Sequence, residues 1–155
     1  IEEHSERQLK YDIIVMADVI EHFSNPFKML ETIEKILRPD GLLIFTTYNM
    51  DSLYAKITGK NYHWILPMHL FYFSNKTLKN ICLDNNLKIY KIKNDSRVVS
   101  FYYLLNKLAL IFPKLKFLFQ YINKIKKFQK INVNVNLFDI NIYFAKKNKS
   151  INAVK

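Results

Sequence analysis

Two kinds of hydrophobic pattern alternate along the chain. Tyr11 to Ala17, YDIIVMA, is a continuous apolar run rich in β-branched residues. It predicts a strand buried on both faces, as in parallel sheets. Asp18 to Phe23 then forms a loop or short turn. Ser24 or Asn25 supplies a cap and Pro26 suits the first helical position. Phe27, Leu30, Ile33, Ile36 and Leu37 recur at helical spacing, with Lys28, Glu31, Glu34, Lys35 and Arg38 on the other face. Arg38–Pro39–Asp40–Gly41 stops the helix. Leu42 to Thr47, LLIFTT, predicts a second buried strand. Strand, helix and strand with short connections make a βαβ unit and a sheet that is at least partly parallel.

Further along, Ser52 to Ile57 predicts a short helix ended by Gly59, and Lys60 to Phe73 an aromatic-rich loop. Ser74 caps a helix over Asn75 to about Asp84 whose inward residues are Leu78, Ile81 and Cys82. Leu87 to Lys93 is a third strand. Residues 98 to about 131 are helical, broken at Pro113, and Asn136 to Lys146 is the last strand. Asn132 to Asn136, NVNVN, is only a short alternating run.

At 155 residues the chain is one domain by length and buries roughly 70% of its unfolded surface. Its two glycines, Gly41 and Gly59, exclude a glycine-rich phosphate or dinucleotide loop within this chain. The single cysteine, Cys82, fits a reducing compartment and a core position. No apolar run reaches the ~20 residues of a membrane span and no secretory signal is present, so the expected location is cytoplasmic. The first residue is isoleucine and the first ten are polar, which predicts a chain that begins inside a domain. The net charge of +11 is unevenly spread. Residues 1–97 hold 13 Lys and Arg against 12 acids, a net of +1, and residues 98–155 hold 11 Lys against Asp139, a net of +10.

In open α/β sheets ligands bind outside the carboxyl ends of the strands. That rule points to the strand ends Met16–Asp18 and Thr46–Asn49, and within them to Met16, Ala17 and Asp18 and to Tyr48 and Asn49. Glu21 and His22 are either general acid/base groups or structural. A histidine near its ordinary titration range can take a proton from a hydroxyl. Asp18, Glu21 and His22 also have i, i+3, i+4 spacing and could share a cation, although three residues on one short turn assign no metal. His63, Trp64 and His69 lie in the aromatic loop, either as a lid over an acceptor or as a plug at the sheet edge.

The run Tyr11–Asp12, Asp18, Val19–Ile20–Glu21–His22 and Leu37–Arg38–Pro39–Asp40–Gly41, followed by Gly59, Trp64 and His69-Leu70-Phe71-Tyr72-Phe73-Ser74, resembles the class I S-adenosylmethionine-dependent methyltransferases. The likeness is greatest to the small-molecule, quinone and glycan group. It covers residues 11–93 and, loosely, the final strand. Asp40 stands for the family's second glycine, Tyr48 for a proline, and Asn85–Asn86 for a helix-ending glycine.

The resemblance implies an α/β fold, the C-terminal half of a Rossmann-like methyltransferase sheet with a helical insertion before the last strand. The expected organisation is a single incomplete domain over 1–155: a core at 11–93, a basic helical insertion at 94–135 and the last strand at 136–146. It implies S-adenosylmethionine as cofactor beside Met16, Ala17 and Asp18, His22 and His69 as catalytic groups, and Tyr48, Asn49 and Trp64 toward a small-molecule or glycan acceptor methylated at oxygen. The family's glycine-rich loop would precede Ile1, so this chain alone is expected to bind cofactor poorly, to be inactive and to be of marginal stability. The alternative is an inactive truncated domain acting through its basic helices. Tyr102 to Ile131 mixes lysine with leucine and phenylalanine, which suits peripheral contact with a membrane. No nucleic-acid reader motif accompanies the charge, and none is expected to bind.

Overall fold

The computed structural model describes residues 9–125 and 131–148. The polar opening at 1–8, with His4, and positions 126–130 of the basic segment lie outside them. The described chain forms two compact units, one built from residues up to Asp95 and from Phe138 onward, the other from Ser96–Leu137.

In the first unit a four-stranded sheet has the order β1-β2-β6-β3. β1 (Tyr11–Ala17) runs parallel to β2 (Leu37–Tyr48), with α1 (Pro26–Ile36) between them in sequence. β6 (Ile140–Lys147) lies antiparallel to β2 and to β3 (Leu87–Asn94). Asn25 caps α1 by accepting from the Lys28 amide at 2.9 Å, and Ser74 caps α3 (Asn75–Asp84) through the Thr77 amide at 3.0 Å. α2 (Leu53–Thr58) is capped by Ser52. Each cap satisfies an amide that the first turn would leave without a partner.

Arg38 to Gly41 ends α1 as expected, but as a bulge inside β2. Tyr11 pairs with Leu37 and Ile13 with Leu42, so the extra residues loop out of the ladder. Arg38 holds this bulge by donating to both Asp12 carboxylate oxygens at 2.8 Å. Gly41 is needed there for space: a Cβ would meet the Leu37 side chain at 2.8 Å. Asn86 ends the α3–β3 turn in the left-handed region at φ 56°, a conformation asparagine tolerates.

The core lies on one face of the sheet. Met16, Leu43, Phe45, Tyr143 and Ala145 point into it, and α1 and α3 cover it with Leu30, Ile33, Leu78 and Cys82. The expectation that β1 is buried on both faces is overturned. Ile13 is 59% and Val15 66% exposed, because both helices that follow the strands pack on the face of Ile14 and Met16. On the other face Tyr90 rests against the Phe144 ring, and Lys146 and Lys91 lie over those two rings. Phe27, placed inward by its spacing, is also exposed. It stands in the first turn of α1, beyond the edge of the packed stripe.

In the second unit β4 (Arg97–Ser100) pairs antiparallel with β5 (Asn132–Val135). This two-stranded ladder corrects the helical expectation that began at residue 98: RVVS is a strand, and the N-V-N-V run is its partner. α4 (Phe101–Ile111) and α5 (Lys116–Asn123) follow, separated as expected at Pro113, which opens a short 3-10 turn. The last strand of the sheet begins at Ile140 rather than Asn136, after Phe138 adopts φ 56°.

Two outcomes test this packing. Ile33→Ala should lower unfolding stability by about 2–5 kcal/mol by opening a cavity, whereas Val15→Ser on the open face should stay within about 0.5 kcal/mol; urea denaturation measures both. Burial raises the Cys82 thiol to about 12 from an ordinary 9.0. Because the folded state holds the proton more tightly, this contribution to stability is complete below about pH 9 and lost as pH rises toward 12. At pH 8 Cys82 should therefore react with a thiol reagent only at the rate of unfolding, and fast labelling of native protein would contradict the burial.

Candidate functional site

The carboxyl ends of β1 and β2 meet where Ala17 pairs with Thr46. The next residue, Asp18, turns out of the strand with φ 51°. Aspartate accepts this left-handed conformation better than most side chains, though at some cost. A two-way contact secures it: the Asp18 amide donates to Thr46 Oγ1 at 2.9 Å, and the Thr46 hydroxyl donates to Asp18 Oδ1 at 2.8 Å. Met16 is buried beneath and Ala17 is exposed beside it.

The turn at Asp18 carries the chain into a short 3-10 helix, Ile20–His22. Ile20 is fully buried and anchors it, and Glu21 is fully buried as well. The Glu21 carbonyl accepts from the Leu70 amide at 2.9 Å and the Phe71 amide at 3.3 Å, joining this turn to the aromatic loop. Its Oε2 accepts from the Thr47 hydroxyl at 3.0 Å, whereas Oε1 has no hydrogen-bond partner among the described residues. A buried carboxylate oxygen without a donor is costly, so this atom suits a cation or a ligand's donor.

His22 is exposed and directs Nδ1 to the Met68 carbonyl at 3.0 Å. A carbonyl only accepts, so Nδ1 carries the hydrogen and Nε2 keeps a lone pair. His69 is buried, its Nδ1 2.7 Å from the Trp64 carbonyl and its Nε2 2.7 Å from the Tyr48 hydroxyl. By the same reasoning its Nε2 lone pair is taken up by the Tyr48 O–H. The two imidazoles meet edge to face at 4.8 Å. Burial raises the Tyr48 hydroxyl far above the usual phenol range, and the nearby Glu21 carboxylate raises it further. Tyr48 therefore stays protonated and serves as a donor.

The structure thus gathers most of the residues expected from the sequence. Met16, Ala17 and Asp18 occupy the β1 end; beside them Tyr48 is hydrogen-bonded to His69, whose ring meets that of His22. Trp64 is half-buried and stacks on Tyr48 at 5.2 Å. Asn49 is buried at the turn after β2, and its side chain accepts from the Asp51 amide at 3.0 Å. His63 lies on the far side of Trp64, its ring 4.7 Å from the Trp64 ring and its Nδ1 3.1 Å from the Tyr54 hydroxyl. Thr46 and Thr47, which fix Asp18 and Glu21, were not singled out in the sequence; two polar residues closing an apolar strand were the available signal. Glu21, His22 and His69 could also hold a cation, with one ligand atom from each lying within 4.8 Å of the others. His69 takes the place that spacing suggested for Asp18, whose carboxylate is tied to Thr46.

A family model described as a methyltransferase domain matches residues 1–92. A malonyl-[acyl-carrier protein] O-methyltransferase of Porphyromonas gingivalis is 34% identical over 56 residues, 35% of this chain and 22% of that protein. A ubiquinone biosynthesis O-methyltransferase of Actinobacillus pleuropneumoniae is 35% identical over 40 residues, 26% of this chain and 17% of that protein. The matched segment thus spans about a fifth of each curated relative. Among solved structures, an S-adenosylmethionine-dependent methyltransferase of Archaeoglobus fulgidus superposes with a TM-score of 0.54 at 20% identity, covering 94% of this chain and 64% of that one. One of Thermotoga maritima also gives 0.54, at 14% identity and with 91% and 58% covered. The chain belongs to the methyltransferase-domain family and has the fold of the class I S-adenosylmethionine-dependent methyltransferases.

Proposed function

We propose that this sheet edge serves methyl transfer from S-adenosylmethionine to an oxygen of a small-molecule acceptor. The observation that carries the reading is the placing of Asp18 and the Glu21–His22–His69–Tyr48 cluster side by side at the carboxyl ends of two parallel strands. The O-methyltransferase names of the two curated relatives support oxygen over nitrogen. Neither name speaks for a glycan acceptor.

On the cofactor side, an exposed Ala17 beside a fixed Asp18 carboxylate suits one wall of a site for a polar, amine-bearing ligand. A backbone cradle of glycines is not part of that wall, since Gly41 lies in the β2 bulge and Gly59 after α2. When bound, the cofactor supplies an activated methyl group. The carbon–sulfur bond breaks as the carbon–oxygen bond forms, sulfur leaves as a neutral thioether, and the acceptor hydroxyl must lose its proton. His22 is the group arranged to receive it, because its Nε2 lone pair is available. His69 has no such capacity while it accepts from Tyr48, so His69 and Tyr48 position the acceptor and exclude water. The aromatic loop from Tyr62 to Phe73 is tied to the site through the Glu21 carbonyl, which aligns donor and acceptor sides.

The orphaned Glu21 oxygen favours a second reading of the same cluster, in which a divalent cation is held by Glu21, His22 and His69. Opposed ligands on a cation with bonds of about 2.1 Å lie about 4.2 Å apart. The observed spread therefore needs a small closure and the release of His69 from Tyr48.

Transfer of a radiolabelled methyl group to a panel of small hydroxylated and carboxylated acceptors tests the first reading. His22→Ala should lower kcat by about 10²–10⁴-fold with cofactor affinity within about twofold. An unchanged kcat removes His22 as the base, and no label in any oxygen acceptor rejects the function. Dialysis against a chelator should leave the rate unchanged under the first reading and abolish it, restorably by a divalent metal, under the second. Thr46→Val should destabilise the fold by about 1–2 kcal/mol and weaken S-adenosylmethionine binding in calorimetry by loosening Asp18; unchanged binding would exclude Asp18 from the cofactor wall.

A further inference from the structure

The unit formed by Ser96–Leu137 has a composition unlike the rest of the chain. It contains Arg97 and seven lysines and no aspartate or glutamate. Its interior is small. Leu105 is buried, and the Asn123 side-chain amide donates to Asn106 Oδ1 at 2.9 Å between α5 and α4.

The outer surface of α5 is apolar. Phe117 is 87% exposed and Tyr121 69%, with Leu118, Phe112, Leu115 and Ile125 also exposed. Positions 117, 118 and 121 are related by i, i+1 and i+4, so they share one face of the helix, and Ile125 follows just beyond its end. Scattered exposed hydrophobics are ordinary, but a continuous apolar strip carrying two exposed aromatic rings marks an interaction surface. Lys114, Lys116 and Lys124 are exposed beside it. A groove of about 560 Å³ opens among Tyr102, Gln120, Tyr121 and Lys124, where amide and ammonium donors meet aromatic walls.

We propose that α5 and the 3-10 turn before it lie in the plane of an anionic lipid surface. Phe117, Leu118 and Tyr121 enter the boundary between headgroups and acyl chains, and Lys114, Lys116 and Lys124 contact lipid phosphates. Charge complementarity commits the face to this occupant: nothing acidic in the unit opposes a negative surface, and each lysine near one adds attraction. An interfacial helix needs an apolar face flanked by cations, which is the arrangement here. A nucleic acid would use the lysines and rings but leave Leu115, Leu118 and Ile125 in water. Among the described residues no helix is long and apolar enough to cross a membrane, so the contact is with the surface.

Vesicle co-sedimentation with the whole protein tests the proposal. Vesicles with about 30% phosphatidylglycerol should retain at least about tenfold more protein than pure phosphatidylcholine at about 0.1 M salt, and less as salt is raised. The double variant Phe117→Ser/Tyr121→Ser should lose most of this binding while its thermal melt is unchanged, since both rings already face solvent. The triple variant Lys114→Glu/Lys116→Glu/Lys124→Glu should lose the preference for anionic lipid. Absence of vesicle binding overturns the proposal, as does equal sedimentation of wild type and both variants. Displacement of the vesicles by duplex DNA at equal phosphate concentration, with the serine variant binding DNA normally, would assign the surface to nucleic acid instead and also overturn it.

Discussion

The parallel pairing of β1 with β2, ending at Ala17 against Thr46, is the constraint on which the functional edge depends. Backbone hydrogen bonds set the two strand ends level, which places the Thr46 hydroxyl within reach of Asp18. That hydroxyl donates to the carboxylate and accepts from the Asp18 amide, so one side chain engages two polar groups of a residue in a disfavoured conformation. The direction of the Asp18 turn then aims the chain so that Ile20 enters the core, Glu21 goes under the sheet edge and His22 remains in solvent. Three successive residues with three different environments follow from one forced φ angle.

The second constraint is the burial of Glu21. A carboxylate with no exposure is costly unless donors or a cation meet it. Here the Thr47 hydroxyl covers one oxygen, and the neighbouring Tyr48 ring brings its hydroxyl and His69 close. The peptide carbonyl of Glu21 meanwhile ties Leu70 and Phe71 to the same turn. Sheet edge and aromatic loop are thereby joined through one residue's backbone and its side chain. A loop held this way keeps Trp64, His69 and Tyr72 in fixed positions beside the sheet edge, which is the preorganisation that the proposed methyl transfer would draw on.

Much of this was legible in the sequence because it depends on local chemistry. Asn25–Pro26, Ser52 and Ser74 mark helix starts by their capping ability, and each caps a helix in the structure. The apolar runs mark strands whatever their neighbours. The grouping of His22 with His69 was legible only as two candidates 47 positions apart; their 4.8 Å approach is set by tertiary contacts that no periodicity encodes. The β4–β5 pairing escaped because its strands, Arg97–Ser100 and Asn132–Val135, are four residues each. Runs that short carry less signal than the long apolar helices between them. The open face of β1 was misread for a different reason. Ile13 and Val15 satisfy the pattern of a two-sided strand, and pattern reports what a residue can bury, not what lies opposite.

That last difference bears on how the two units use hydrophobic residues. In the sheet, Ile13 and Val15 are exposed on a face where Tyr90, Lys91 and Lys146 partly shield the neighbouring rings. Those lysines lay their aliphatic stems along apolar surface while the ammonium groups reach water, which limits the contiguous apolar area near β6. On α5 and the turn before it, Lys114, Lys116 and Lys124 are exposed beside the exposed rings of Phe117 and Tyr121. The same residue type thus has two physical roles. Where lysine covers an aromatic ring it limits the apolar area open to association; where it borders an open apolar strip on a helix, the surface has the character that the proposed contact with anionic lipid requires. Composition alone, +10 over residues 98–155, does not separate these roles, and the position of each lysine relative to the exposed rings does.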